Sequence, residues 1–386
     1  MTGSRAERGQ SKADKTLDVT IEVTTWVTKQ VGGDGSGTRL FEEPVLEGDT
    51  VRTALRRFSR RFPELDAALW NPDHTDLGEP IEVVINDAVL GVHHTLDTPL
   101  EGGERITLLG QFMGGGDPPL PEYRLRARNT SKESENAIHD DAVAKKYGFG
   151  GGLVPGVIVY AYMTHPLVAA WGPEWLERGT ATVRFVKPVL DEDETLVAGI
   201  ASRPAGGLLS ATVTVSTGSG GVCSRGTATL PDSLASVPDA SRYETAPLPS
   251  TRPPAVGAYL AAQKTLGTPV NRYDEAAAAA WLAKVADGLP LYRGREGFIH
   301  PAFYLDQANK ALSLNVKLGP WIHAGSVIQH LGVARLGQTL STRGGVRSVF
   351  EKRGKEFVEL DLLILADERP VAHVLHTAIF RLPLAS

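Results

Sequence analysis

The feature that most constrains this chain is the stretch 134–160, SENAIHDDAVAKKYGFGGGLVPGVIVY. It opens with a polar knot, Glu135-Asn136 and His139-Asp140-Asp141. Residues 142–147 have helical spacing, and Gly150-Gly151-Gly152 breaks that helix. Pro155-Gly156 then starts a strongly apolar run over 157–163. Groups able to move protons thus stand directly before the start of a buried helix. Such a start offers unpaired backbone N–H groups and a partial positive charge, both suited to a developing oxyanion. A helix this apolar must be wrapped, and strand signals at 181–186, 196–200, 209–215 and 222–229 supply the wrap. Pro166 is expected to kink or shorten the helix, which is otherwise predicted over 157–171.

The later chain repeats this order. Gly297-Phe298-Ile299-His300-Pro301 stands 145 positions after Gly152-Leu153-Val154-Pro155-Gly156. Each is a glycine, two apolar residues and a turn, followed by a helix: VIVYAYM in the first case, AFYLDQANKALSLN in the second. Strand signals follow again at 326–331, 345–352, 357–365 and 371–380. Between the two runs, 231–254 is rich in Pro, Ser and Ala and reads as a connector. Residues 273–285 are a helix with Asp274 placed to cap it.

The front of the chain is a different module. Residues 17–27 alternate apolar and polar like a half-buried strand. Asp49 or Thr50 caps a helix reaching Phe62, with Val51, Ala54, Leu55 and Phe58 inward and Arg56, Arg57, Arg60 and Arg61 largely outward. Pro63 is expected to end it, and 81–86 and 106–109 are strands. Residues 1–116 carry 12 basic and 19 acidic side chains, the remainder 28 and 26. That acidic front argues against nucleic acid and suits docking on a basic protein surface. The one cysteine, Cys223, excludes disulfide scaffolds and thiolate metal clusters and reads as a passive small side chain. No apolar run reaches membrane-spanning length and the first residues lack a signal core, so the expected location is the cytoplasm, away from membranes. No metal-ligand spacing, dinucleotide fingerprint or phosphate loop is present, so no cofactor is expected.

Two family resemblances follow from these residues. Asn136, Ile138, His139, Ala144, Gly148, Phe149 and Gly156, with VRFVKPVLDEDE after the helix, resemble MaoC-like (R)-specific enoyl-thioester hydratases, which have the hotdog fold. Two positions depart: Ala137 stands for the family's Pro, and Ser134 for its catalytic Asp. LEGDTVRTALRRF, FPEL, IEVVIND and TPLEGGERITLLGQFMGGG resemble the ThiS/MoaD sulfur carriers, a ubiquitin-like β-grasp group. Those carriers end at Gly-Gly, whereas here Gly115 and Gly116 continue into Asp117-Pro118-Pro119. The glycines therefore read either as an interdomain linker or as a carrier tail needing cleavage.

The resemblances imply an α+β chain: a disordered tail (1–15), a β-grasp domain (16–116), a linker (117–122), a first hotdog (123–231), a connector (232–270) and a second hotdog (271–386). They imply an acyl-thioester hydratase or dehydratase acting on an enoyl-CoA or an enoyl-carrier protein. His139 would hold the water, Asn136 would orient it and the Gly156 amide would bind the oxyanion. Glu135 or Asp140 would stand in for the missing carboxylate, and His300 would reach a shared groove. His323 and His330 read as structural. A hotdog thioesterase using Glu135 or Asp306 with His300 stays open, as does a sulfur carrier fused to a non-catalytic acyl-binding body. The expected partners are the acyl thioester, an adenylating or sulfur-transfer enzyme for 1–116, and a second copy in a homodimer.

Overall fold

A computed structural model describes residues 17–24, 27–33, 38–78, 81–86, 88–90, 95–110, 119–203, 208–218 and 221–384. The expected tail, and Gly115 and Gly116 with the start of the linker, lie outside them. The chain divides into two compact units, 1–86 with 94–109 and 87–93 with 110–386.

In the first unit the elements run β1 (Leu17–Thr24), α1 (Val27–Gln30), β2 (Thr38–Val45), α2 (Val51–Ser59), α3 (Pro63–Leu69), β3 (Ile81–Ile85) and β5 (Arg105–Gly110), while β4 (Ala88–Val89) falls among the residues of the second unit. Within this unit the sheet order is β2-β1-β5-β3, with β1 antiparallel to β2 and parallel to β5. The alternation in β1 works as expected: Val19, Ile21 and Val23 are fully buried, as are Leu55 and Phe58 of α2. Thr50 caps α2 in a reciprocal pair with Thr53. α2 stops at Ser59, short of the expected Phe62, and Pro63 does not end it but is the first residue of α3, where its missing N–H costs nothing. Arg57 is not simply outward. It reaches the buried Glu43 at 2.9 Å and Asp49 at 2.8 Å.

The second unit contains β6 (Tyr123–Arg126), α4 (Asp141–Lys146), α5 (Gly156–Arg178), β7 (Thr180–Phe185), β8 (Glu194–Ser202), β9 (Leu209–Thr217) and β10 (Gly221–Leu230). It continues with α6 (Gly257–Ala262), β11 (Val270–Arg272), α7 (Glu275–Val285), α8 (Ala302–Ser313), β12 (Ile322–His330), β13 (Thr339–Lys352), β14 (Lys355–Ala366) and β15 (Arg369–Arg381). All ten strands form one antiparallel sheet, ordered β11-β13-β14-β15-β12-β7-β10-β9-β8-β6. Outward from the β7–β12 seam, each half repeats the same connectivity: the first strand after the long helix, then the fourth, third and second, then a short edge strand. The mixed content fits an α+β chain, and two helices each followed by such a run fit a double hotdog.

Helix α5 is buried along nearly its whole first four turns, from Val157 to Thr164 and again at Leu167 and Val168. At roughly 1.5–3 kcal/mol per large apolar side chain, this burial dominates the stability of the first half. Pro166 does not shorten α5, whose backbone keeps helical dihedrals through it. The break falls at Gly172, whose φ of 65° and ψ of −156° leave the helical region just before Pro173. A residue preceding proline is pushed out of the helical region, and glycine alone takes a positive φ there without strain. The stretch expected as a connector is also corrected. Residues 232–270 hold α6 and the first residue of β11, and Leu260 and Leu266 are buried in the common core.

Candidate active site

A cavity of about 350 Å³ lies within the second unit, between its two halves. Asn136, His139 and Gly156 line it from the first half, Trp321 and His323 from the second. The polar loop is held rigidly. Asn136 caps a 3₁₀ turn, Ala137–His139, and Asp140 caps α4 through the N–H of Val143. The Asn129 amide donates to the His139 carbonyl at 2.8 Å, and Asp141 accepts from the Gly152 N–H at 2.7 Å. Gly152 must be glycine, because a Cβ there would overlap the His139 carbonyl.

The protonation of His139 follows from its partners. Its Nδ1 lies 2.7 Å from the Leu153 carbonyl, which can only accept, so Nδ1 carries the hydrogen. Its Nε2 lies 3.3 Å from the Asn136 Nδ2 and presents a lone pair. The orientation of the Asn136 amide is set from the second half: Oδ1 accepts from the Trp321 N–H at 3.2 Å and Nδ2 donates to the Trp321 carbonyl at 3.0 Å. Burial pushes the His139 pKa below its ordinary value, with the Leu153 carbonyl opposing. The result is a neutral imidazole with its basic nitrogen beside a fixed amide donor. Gly156 begins α5 without a side-chain cap, so the first N–H groups of a helix that runs unbroken to the Gly172 kink border the same cavity.

The other expected residues are placed differently. Ser134 lines the cavity and its hydroxyl donates to the Asn136 carbonyl at 3.3 Å, so position 134 brings no carboxylate. Glu135 also lines the cavity, but it is bound by Arg252 at 2.5 and 3.0 Å, and that guanidinium holds its carboxyl below the usual range. Asp140 is committed to its helix cap.

His300 does not line the cavity. It is fully buried, accepts from the Ala302 N–H at 3.2 Å and meets Asp287 at 3.3 Å. The other oxygen of Asp287 meets His165 at 3.0 Å. Burial acts to raise the Asp287 pKa, but the hydrogen bonds from His165 and His300 outweigh it and hold the carboxyl well below its usual range. Asp306 does line the cavity, 3.1 Å from Lys310, so the structure does not bring the pair Asp306 and His300 together. Cys223 is buried, with its Sγ near Thr217 and the Gly221 carbonyl.

Sequence reasoning missed three contributions. Trp321 acts through its backbone, which no side-chain pattern reports. Arg252 lies in the supposed connector. His323 reads as structural and lies just before the strand predicted at 326–331, although β12 in fact begins at Ile322. Lys187, Lys310 and Lys355 add cations to the cavity lining. Among the described residues no helix is long and apolar enough to cross a membrane.

Neither a known protein family nor a curated protein matches this chain by sequence. Solved structures do resemble it. A MaoC-like dehydratase aligns at 11% identity over 67% of this chain and 98% of its own, with a TM-score of 0.45. A conserved Mycobacterium tuberculosis protein with a double hotdog fold aligns at 14% identity over 69% of this chain and 96% of its own, with a TM-score of 0.48. An acyl-ACP thioesterase from Bacteroides thetaiotaomicron aligns at 8% identity over 67% and 97%, with a TM-score of 0.36. The structural neighbours of this chain are double-hotdog proteins of the MaoC-like dehydratase kind together with hotdog acyl thioesterases.

Proposed function

We propose that the second unit is a MaoC-like hydratase or dehydratase acting on an enoyl-CoA or enoyl-carrier-protein thioester. One observation carries this reading: a neutral His139, with Nδ1–H committed to Leu153 and Nε2 beside the Asn136 amide, borders the same cavity as the uncapped start of α5 at Gly156. Water held between Asn136 and His139 loses a proton to Nε2 as its oxygen bonds to Cβ. The alkene electrons move onto the thioester, and the new oxyanion is met by the first N–H groups of α5. His139 then returns the proton to Cα, so the ring serves as base and acid in turn. The carboxylate absent at Ser134 is not needed for that proton balance. The cations at the cavity suit a phosphate-bearing thiol carrier.

The test is turnover of crotonyl-CoA by the parent and by His139→Ala. Hydration in the parent, lost in the variant, is the expected result. Release of free thiol without hydration moves the attack of water to the carbonyl carbon and makes the protein a thioesterase. Tight binding with neither product makes it an acyl-binding protein.

For the first unit, the order β2-β1-β5-β3 with β1 and β5 parallel supports a β-grasp reading and, with it, a sulfur-carrier role. Intact mass from the native host should then contain a fragment ending in Gly or its thiocarboxylate. Full-length chain alone argues for a linker.

A further inference from the structure

Asn136 supplies the amide donor beside the His139 lone pair, and most of that amide is already committed. Its Oδ1 accepts from the N–H groups of Ile138 and Trp321 at 3.4 and 3.2 Å, and one Nδ2–H goes to the Trp321 carbonyl. The second Nδ2–H is the one left for Nε2 of His139 or for a water bound there. Its direction follows the tilt of the amide plane. At 3.2 and 3.4 Å the two bonds to Oδ1 are long, so a small shift of the loop against Trp321 loses them. The loop therefore needs an anchor of its own on the second half.

Glu135, the residue before Asn136, provides it. Its two oxygens accept from Nη1 and Nη2 of Arg252 at 3.0 and 2.5 Å. The same Nη1 donates to the carbonyl of Ser313, the last residue of α8, at 2.8 Å. A cation suits that end of a helix, where carbonyls lack intrahelical donors. The far side of the link is held as well. Pro253 and Pro254 follow Arg252, each with φ locked by its ring, and Pro254 bridges to Lys317. The Pro253 carbonyl accepts from the Lys317 N–H at 2.7 Å, and the Ala255 N–H donates to the Lys317 carbonyl at 3.1 Å. The guanidinium thus ties Glu135 to the stretch 313–321, whose Trp321 backbone orients the Asn136 amide. With 65% of the Glu135 side chain exposed, the ion pair adds little to folding stability, so its effect is on geometry.

We propose that Arg252 is a positioning residue for the reaction above: through Glu135 it sets where the Asn136 amide stands against Nε2 of His139. The inference rests on the His139–Asn136 reading and deepens it, because the segment joining the two halves becomes part of the working site. Arg252 also lines the cavity, so direct contact with a phosphate of the thiol carrier is the competing role.

The test reads crotonyl-CoA hydration and, independently of turnover, the NMR resonance of His139 Nε2 in nitrogen-labelled protein, identified by its absence from His139→Ala. In Arg252→Met, kcat falls by about 10-fold, as for a misplaced group, with KM little changed and thermal unfolding near the parent. Arg252→Lys keeps the charge without the fork and recovers part of that loss. In the Asn136→Ala background, Arg252→Met adds no further loss, because the residue it acts through is gone. The Nε2 resonance moves in Arg252→Met towards its position in Asn136→Ala. A further loss in that background, or a raised KM with kcat intact, makes Arg252 a phosphate contact and overturns the proposal. An Nε2 resonance unmoved by Arg252→Met overturns it too. If the parent hydrates nothing, the hydratase reading falls, and the resonance alone decides the positioning role.

Discussion

The two long helices of the second unit begin on the same backbone frame and lead to opposite outcomes. Leu153 bridges to Leu190, and the Val154 N–H donates to Val189 at 2.8 Å. Phe298 bridges to Arg335, and the Ile299 N–H donates to Ala334 at 2.9 Å, every partner keeping the 145-residue offset. Each frame has a histidine close by. His139 borders an open cavity with a carbonyl on one nitrogen and an amide near the other. His300 is fully enclosed against the carboxylate of Asp287. The scaffold does not decide which histidine can do chemistry. What decides is whether a buried carboxylate or empty space faces the imidazole.

Removing each ring is the strongest way to break that contrast. His139→Ala should lower hydration by about 1,000-fold, the range of a lost general base, while thermal unfolding stays near the parent. His300→Ala should do the reverse. It leaves Asp287 buried with one partner fewer, so stability should fall by about 3 kcal/mol with kcat per folded molecule unchanged. Equal loss of activity in both, read in parallel steady-state assays and urea titrations, would erase the distinction.

Acid should act on the two properties separately. Burial holds His330 and His376 at about 3, against 6.5 for the free side chain. The unfolded chain therefore binds protons that the fold refuses, and stability present above 6.5 is lost as pH falls towards 3. Each ring contributes about 1.4 kcal/mol per pH unit in that window. Urea midpoints at pH 7 and pH 5.5 measure it, and His330→Leu should roughly halve the part due to these two rings. The acid limb of kcat should instead report His139 and lie below its ordinary pKa. Asn136→Asp places a carboxylate beside Nε2 and should move that limb to higher pH.

Smaller effects sharpen the same comparison. Asn136→Ala removes the Nε2 donor and the link to Trp321, and should cost about 10–100-fold in kcat. Gly156→Ala would bring a Cβ within 2.9 Å of His323 and 3.1 Å of Phe185, so we expect about 1 kcal/mol of destabilisation and about a tenfold slower turnover. Turnover at the parental rate in Gly156→Ala would show that the start of α5 is not where the carbonyl sits.

Much of the fold was legible from local chemistry. Asp274 caps α7 as its position implies, by accepting from the Ala277 N–H. Strand-like apolar runs located β1, β3, β5, β7 to β10 and β12 to β15, whereas the short strands β4, β6 and β11 gave no such signal. Legibility ended where a residue's neighbours come from far along the chain. Pro166 looked like a breaker, yet tertiary burial on both sides carries α5 past it to Gly172. His323 reads as structural and lies outside the strand predicted at 326–331, because no local pattern shows that a cavity lies beside it.

The sequence alone determined that a polar loop precedes a buried helix, and that the same order recurs 145 residues later. Those are statements about spacing and hydropathy, and the chain carries them before it folds. Only the tertiary structure decided that Trp321 orients Asn136, that Arg252 occupies Glu135, and that Asp287 silences His300. The reason is physical: a proton's position on a ring depends on donors and acceptors within about 3 Å. In this unit those partners lie 13 to 185 residues apart along the chain.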